Sequence, residues 1–203
     1  MAPIRALFWD VGGVLLTNAW DHTERAEALT HFNLDAKEFQ TRHETVVEAF
    51  ERGEVTLDDY LDRTVFYAPR PFAREEFRAF MFPLSKPLPG MLEFALKLSD
   101  SGSYLMGTIN NESRELNLYR IETFDMRKIF RVFISSCFVG LRKPGPEIYR
   151  LALEVTQMKA EECCFIDDRA ENLEAPAKMG MKTIQRKSLE QLRGDLEKLG
   201  VSV

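Results

Sequence analysis

The chain has 203 residues, 45% of them hydrophobic and 29% charged, with a formal net charge of −5. That is enough for one large domain, or a core domain with an insertion, built around a sizeable core. The acidic balance gives no support for a nucleic-acid partner, which calls for a basic face, and no apolar stretch approaches the roughly 18–20 residues of a membrane span.

The first apolar run, residues 4–9, ends in Asp10-Val-Gly-Gly13. Met1-Ala-Pro-Ile-Arg5 leads straight into it and leaves no room for a signal peptide, so the expected location is cytoplasmic. A buried strand that feeds a carboxylate into a Gly-Gly turn presents it at the strand's C-terminal end. In open α/β sheets that edge binds ligands. A lone Asp at such a place equally serves to cap the turn, so Asp10 gains meaning only from partners at other strand ends.

About ninety residues then pass without a strand. Asp21 to Phe32, Ala36 to Glu51, Leu57 to Phe66 and Arg74 to Phe82 carry apolar residues at helical spacing. Gly53 separates the second from the third, and Thr56 is an expected N-cap. Pro69, Pro71, Pro83, Pro87 and Pro89 punctuate the end of the region before the core resumes near Met91. This reads as a helical bundle inserted after the first strand, dividing the chain into a core of residues 1–16 and 89–203 and a helical unit of 17–88. Phe39, Phe50 and Phe77 belong to the bundle's own core on this reading. Trp20, Arg42, His43, Phe66 and Tyr67 are candidates to face a site, with His43 better explained as a packing or surface residue.

Beyond the insertion, strand-like runs at 103–108, 131–135, 163–167 and 181–185 alternate with helical patterns. The helices are Asn111 to Phe124, Pro146 to Thr156, Glu171 to Met179 and Leu189 to Leu199, the last opened by a capping box at Ser188-Leu-Glu-Gln191. Alternation of this kind implies βαβ units and a parallel sheet covered by helices on both faces. Cys137, Cys163 and Cys164 show no metal spacing; the adjacent pair sits on an expected buried strand, where cysteine acts as a small hydrophobe. Reduced thiols follow.

Four polar signals fall at strand ends: Asp10; Thr108, followed by Ile109 and Asn110; Lys143 in Gly140-Leu-Arg-Lys-Pro; and Asp167-Asp168, with Asn172 beyond. Taken singly, Thr108 reads as a helix cap and Lys143 as a solvated loop charge. The aspartate pair is harder to dismiss, because crowded carboxylates usually require a cation. Magnesium, held by one or two carboxylates and substrate phosphate oxygens, suits such a place.

The order Asp, Thr, Lys, Asp-Asp, each at a strand end, resembles the haloacid dehalogenase superfamily of aspartate-nucleophile phosphotransferases, with a cap inserted after the first motif. Glu-Arg-Gly-Glu at 51–54 and Gly-Leu-Arg-Lys-Pro look more locally like its bacterial sugar-phosphatase-like members. The resemblance implies an α/β, Rossmann-like parallel five-stranded sheet of order 5-4-1-2-3 with a small all-helical cap. It implies a hydrolase acting on a small phosphorylated metabolite with Mg²⁺. Asp10 would be the nucleophile, with Thr108 and Lys143 assisting. Val11, Gly12, Gly13, Thr108, Ile109, Asn110 and Lys143 would hold phosphate, and Asp10, the Gly12 carbonyl, Asp168 and Asp167 would hold the metal. Asn172 would order the loop of the aspartate pair.

One position departs from the family. The usual second aspartate, two residues after the nucleophile and serving as general acid and base, is replaced by Gly12. That contribution is worth roughly 10²–10⁴-fold. Three functions therefore stand side by side: a phosphatase, a non-catalytic phosphate-binding or regulatory protein, and, disfavoured by the aspartate pair, a metal-free 2-haloacid dehalogenase. Substrate identity and oligomeric state are not written in the sequence.

Overall fold

In the computed structural model, which describes residues 2–202, every residue of strand β1 (Ala6–Trp9) is buried. Complete burial requires cover on both faces, and the strand's alternation divides its side chains between two layers. Ala6 and Phe8 pack with Ile148 and Tyr149, while Leu7 and Trp9 pack with Met91, Phe94 and Leu98. Strands β2 (Leu105–Asn110), β3 (Val132–Ser135), β4 (Cys163–Asp167) and β5 (Lys182–Gln185) complete a parallel five-stranded sheet of order β3-β2-β1-β4-β5. This is the parallel sheet that the strand–helix alternation implies and the order that the family resemblance implies. The order reverses at β1, so the C-terminal ends of β1, β2 and β4 converge at the ligand-binding crevice of such sheets.

Helices α1 (His22–His31), α2 (Ala36–Glu44), α3 (Val47–Glu51), α4 (Leu57–Thr64) and α5 (Arg74–Met81) lie between β1 and α6 (Met91–Asp100). Their inward faces build a separate apolar cluster around Phe32, Phe39, Phe50, Tyr60 and Phe77. Thr56 and Asp59 form a reciprocal capping box at α4. The outgoing and returning connections run side by side, with the Thr17 amide donating to the Lys86 carbonyl at 2.8 Å and that of Leu88 to the Leu15 carbonyl at 2.9 Å. The remaining helices are α7 (Arg114–Thr123), α8 (Met126–Ile129), α9 (Ser136–Val139), α10 (Pro146–Thr156), α11 (Glu171–Lys178) and α12 (Leu189–Lys198). Residues 1 and 203, at the outer bounds of the expected core, lie outside the described residues.

Element boundaries depart from the sequence reading most plainly at α2–α3 and at the turn from β2 to α7. The expected helix over 36–51 breaks at Thr45–Val46 into α2 and α3. Strand β2 continues two residues beyond Thr108, and α7 starts only at Arg114, because Asn110, Asn111 and Glu112 are engaged in side-chain bonds described below. No helix among the described residues is long and apolar enough to cross a membrane. All three cysteines are free and buried, and burial pushes the thiols of Cys163 and Cys164 up to about 12, as befits packing residues.

Candidate active site

Asp10 lies one residue beyond Trp9, which pairs with Ile166 of β4, so Asp10 and Asp167 stand level on adjacent strands. Between them comes the Lys143 ammonium, 2.8 Å from Asp10 Oδ1 and 2.6 Å from Asp167 Oδ2. Lys143 is held there by its backbone: Asn111 accepts the Lys143 N–H and donates to the Lys143 carbonyl, both at 2.9 Å. Asp167 is fully buried and also accepts from the Arg169 amide at 2.8 Å and from the Asn172 side chain at 3.1 Å. Asn172 thus orders the loop, with its own carbonyl accepting from the Tyr149 hydroxyl at 2.7 Å.

Asp168 completes the cluster. One oxygen from each of Asp10, Asp167 and Asp168 falls within 4.8 Å of the other two. Asp168 Oδ1 is sealed from solvent and has no protein partner. Burial, then the neighbouring Asp167 charge, raises the Asp168 carboxyl above its usual range. Burial likewise drives the Asp10 carboxyl upward to about 7, against the opposing pull of Lys143. Asp10 and Asp167 share one ammonium, and Asp168 beside them forms no ion pair among the described residues, which leaves an excess of negative charge. An orphaned, buried carboxylate oxygen on a member of such a group fits a hard, oxygen-seeking divalent cation. Gly13 makes the approach possible: its φ is +70°, and a Cβ there would collide with the Asp168 carboxylate.

Of these groups Asp10 and Lys143 open onto a cavity of about 420 Å³, walled also by Gly12, Asn111 and Asn172 on the sheet side and by Arg25, His43 and Glu51 on the helical side. Of the five helical-segment candidates, His43 and Trp20 reach it. Arg42 instead stacks on the Tyr67 ring at 3.5 Å, and Phe66 packs in the helical segment's own apolar cluster.

The expected phosphate ligands of β2 are not brought to the cavity. Thr108 is fully buried two residues short of the strand end, its hydroxyl unpartnered and absent from the cavity wall. Ile109 packs beneath the sheet with Ile134 and Ile148. Asn110 is consumed by a closed ring of bonds, donating to Asn117 at 3.1 Å and accepting from Ser135 at 2.8 Å, while Asn117 donates to Ser135 at 3.0 Å. Asn111 is the β2-end side chain on the cavity wall. In the glycine turn, the Val11 N–H bonds Asp10 Oδ1 at 2.8 Å and the Gly13 N–H bonds the Leu16 carbonyl at 2.8 Å. Of those three turn residues, Gly12 alone lines the cavity.

The sequence reading missed a buried ion pair on the same wall. Arg120 meets Glu112 at 2.8 Å and also donates to Ser85 at 2.9 Å and to the Thr17 carbonyl at 3.0 Å. Burial, opposed by Arg120, raises the Glu112 carboxyl. Neither residue carries a motif signal; only the inward placement of Arg120 on α7, one turn beyond Leu116, hints at it.

Comparison with known proteins places this geometry. A family model described as haloacid dehalogenase-like hydrolase matches residues 4–180. Bifunctional epoxide hydrolase 2 of Sus scrofa is 26% identical over 223 residues, covering 97% of this chain and 39% of that protein. The chain therefore spans about two fifths of the length of the epoxide hydrolase 2 relatives. Flavin mononucleotide hydrolase 1 of Arabidopsis thaliana is 27% identical over 172 residues, covering 81% of this chain and 66% of that protein. Among solved structures, a HAD family enzyme from Bacteroides thetaiotaomicron superposes with a TM-score of 0.83 at 20% identity, over 96% of this chain and 99% of its own. Its complex with magnesium and inorganic phosphate gives 0.77 at 21% identity, over 93% and 98%. At that identity the likeness is one of fold.

Proposed function

The chain belongs to the haloacid dehalogenase-like hydrolases, and from that premise we propose that it is a magnesium-dependent phosphatase of small phosphomonoesters, working through an aspartyl-phosphate. The observation that carries this reading is the cluster of Asp10, Asp167 and Asp168, two of them sharing one buried lysine and the third with an orphaned carboxylate oxygen, presented to a polar cavity through Asp10 and Lys143. The magnesium-and-phosphate complex of the Bacteroides enzyme and the hydrolase name of the Arabidopsis relative support it.

Asp10, Asp168 and the Gly12 carbonyl would hold the cation, with Asp167, whose two oxygens already accept from Lys143, Arg169 and Asn172, joining them by its charge or through water; the cation when bound offsets the charge of nucleophile and phosphate. An Asp10 carboxylate oxygen attacks phosphorus as the bond to the leaving oxygen breaks, and water then cleaves the acyl phosphate and returns Asp10. Lys143, fixed against Asp10, neutralises charge building on the transferring group. Asn111 and Gly12 take the positioning role expected of the β2 residues. The helical segment of residues 17–88 acts as a cap that closes the cavity and excludes water. Ion pairs from Arg142 to Glu51 at 2.6 Å and from Arg169 to Asp21 tie it to the core on two sides of the cavity.

The test is hydrolysis of p-nitrophenyl phosphate with and without magnesium. Turnover is expected to vanish with chelator, return with magnesium, and fall at least about 10³-fold in Asp10→Asn. Turnover that survives in Asp10→Asn overturns the mechanism. Tight binding of magnesium and phosphate without turnover would instead establish the non-catalytic reading that Gly12 raises.

A further inference from the structure

Four arginines line the cavity, and three of them have a carboxylate: Arg120 pairs with Glu112, Arg142 with Glu51 and Arg169 with Asp21. Arg25 has none. Among the described residues no carboxylate oxygen lies within 4.0 Å of its guanidinium, although Arg25 is only 6% exposed. Its terminal nitrogens meet the Trp20 carbonyl at 2.6 Å and His22 Nδ1 at 3.3 Å, and its Nε–H is buried with no partner. Buried charges are ordinarily paired. Of the helical-segment carboxylates on the cavity wall, Asp21 and Glu51 are engaged by arginines and Glu44 by the Gln40 amide at 2.9 Å.

His43 stands on the same wall. Its Nδ1 lies 2.8 Å from the Tyr60 hydroxyl, which accepts from Trp20 Nε1 at 2.9 Å. The arrangement that satisfies all three groups has Tyr60 donating to Nδ1, which places the ring hydrogen on Nε2, a nitrogen with no protein partner among the described residues. The helical segment therefore lines the cavity with a fixed guanidinium without a counter-ion and a neutral N–H donor.

We propose that Arg25, assisted by His43 Nε2–H, forms a second anion subsite, so that the substrate is a phosphomonoester carrying a further anionic group, a carboxylate or a second phosphate. This rests on the phosphate of the same molecule sitting at Asp10. The inner phosphate meets Lys143 and the aspartate cluster on the core side; the outer anion meets Arg25 on the helical side. A charge-assisted fork of this kind separates an anionic substrate from a neutral one of equal size.

Binding can be read without chemistry. Phosphonocarboxylates and bisphosphonates of increasing chain length are titrated calorimetrically, with magnesium present, beside alkylphosphonates of matching length. At one chain length or more, the anionic tail is expected to tighten Kd by about tenfold or more, and this ratio is expected to collapse toward one in Arg25→Gln. A ratio near one at every length overturns the subsite, as does a ratio that persists in Arg25→Gln. Should that variant not fold, the ratio is read in Arg25→Lys, which keeps the charge and loses the fork; an undiminished ratio there also overturns the assignment. The two probe series show which anion is preferred. Aryl phosphate turnover on the same preparation separates the two readings: turnover without an anionic gain removes the subsite alone, and an anionic gain without turnover removes the phosphatase reading alone.

Discussion

Gly12 and Gly13 are neighbours with opposite meanings. Gly13 is required by a left-handed φ and by the Asp168 carboxylate pressed against it. Gly12 has no such φ; a Cβ there would meet Asn18 Oδ1 at 2.9 Å and the Arg120 guanidinium at 3.8 Å. The volume that a general-acid aspartate fills in relatives is here bordered by an amide and a permanently charged guanidinium, neither of which gives up a proton at neutral pH. On the proposed mechanism the leaving oxygen then departs with most of its negative charge, eased only electrostatically. Single-turnover rates of Asp10 phosphorylation are therefore expected to fall steeply as the leaving group's pKa rises, aryl and acyl phosphates reacting well and primary alkyl phosphates poorly. Equal rates for alkyl and aryl esters of similar size would show that another group donates the proton. Glu112, whose carboxyl burial raises, would be the first to replace.

At the scale of elements, the helical segment carries polar groups that its amphipathic pattern conceals. A histidine on the inner face of α2 has the spacing of a packing residue, and His43 does stack on Phe39. What the spacing does not disclose is the Trp20–Tyr60 relay, contributed by residues distant in sequence. The end of β2 was misread for a related reason. Thr-Ile-Asn-Asn looks like a strand running out into a polar loop, yet Asn110 stays in the strand because Asn117 and Ser135 satisfy its amide. By contrast, Asp10 and the Asp167-Asp168 pair were legible, because a titratable residue after a fully apolar run marks a strand end by itself; Lys143 is not at a strand end but in the loop between α9 and α10, where Asn111 holds its backbone. His43 also yields a pH prediction. Burial first, then the Arg25 and His22 charges, against Glu44 and Asp21, lower its pKa from 6.5 to about 4. The unfolded chain then takes up a proton below about 6.5 that the folded chain refuses until about 4, so stability is lost as pH falls through that window. The drop in Tm between neutral and mildly acid buffer is expected to be smaller in His43→Gln than in the parent. Equal drops would place the acid sensitivity elsewhere.

At the scale of the whole molecule, the sheet reversal concentrates charge that the fold alone would avoid. Nothing in packing requires three carboxylates within 4.8 Å of one another at the end of β1 and β4, and their repulsion destabilises the metal-free protein. A cation that binds only the folded chain reverses that penalty. At a hundredfold excess over its Kd it contributes about 2.7 kcal/mol. For a chain of this length that corresponds to a rise in Tm of roughly 5–10 °C. Magnesium is expected to produce such a shift in thermal melts. Asp168→Asn should lose most of it while melting no lower than the parent in chelator, because the neutral amide relieves the repulsion as it removes the ligand. This pairing distinguishes a metal site from a structural network, in which Asp168→Asn would lower Tm with or without magnesium. An Asp168→Asn protein as responsive to magnesium as the parent would move the cation away from the end of β4, and with it the charge compensation on which attack by Asp10 depends.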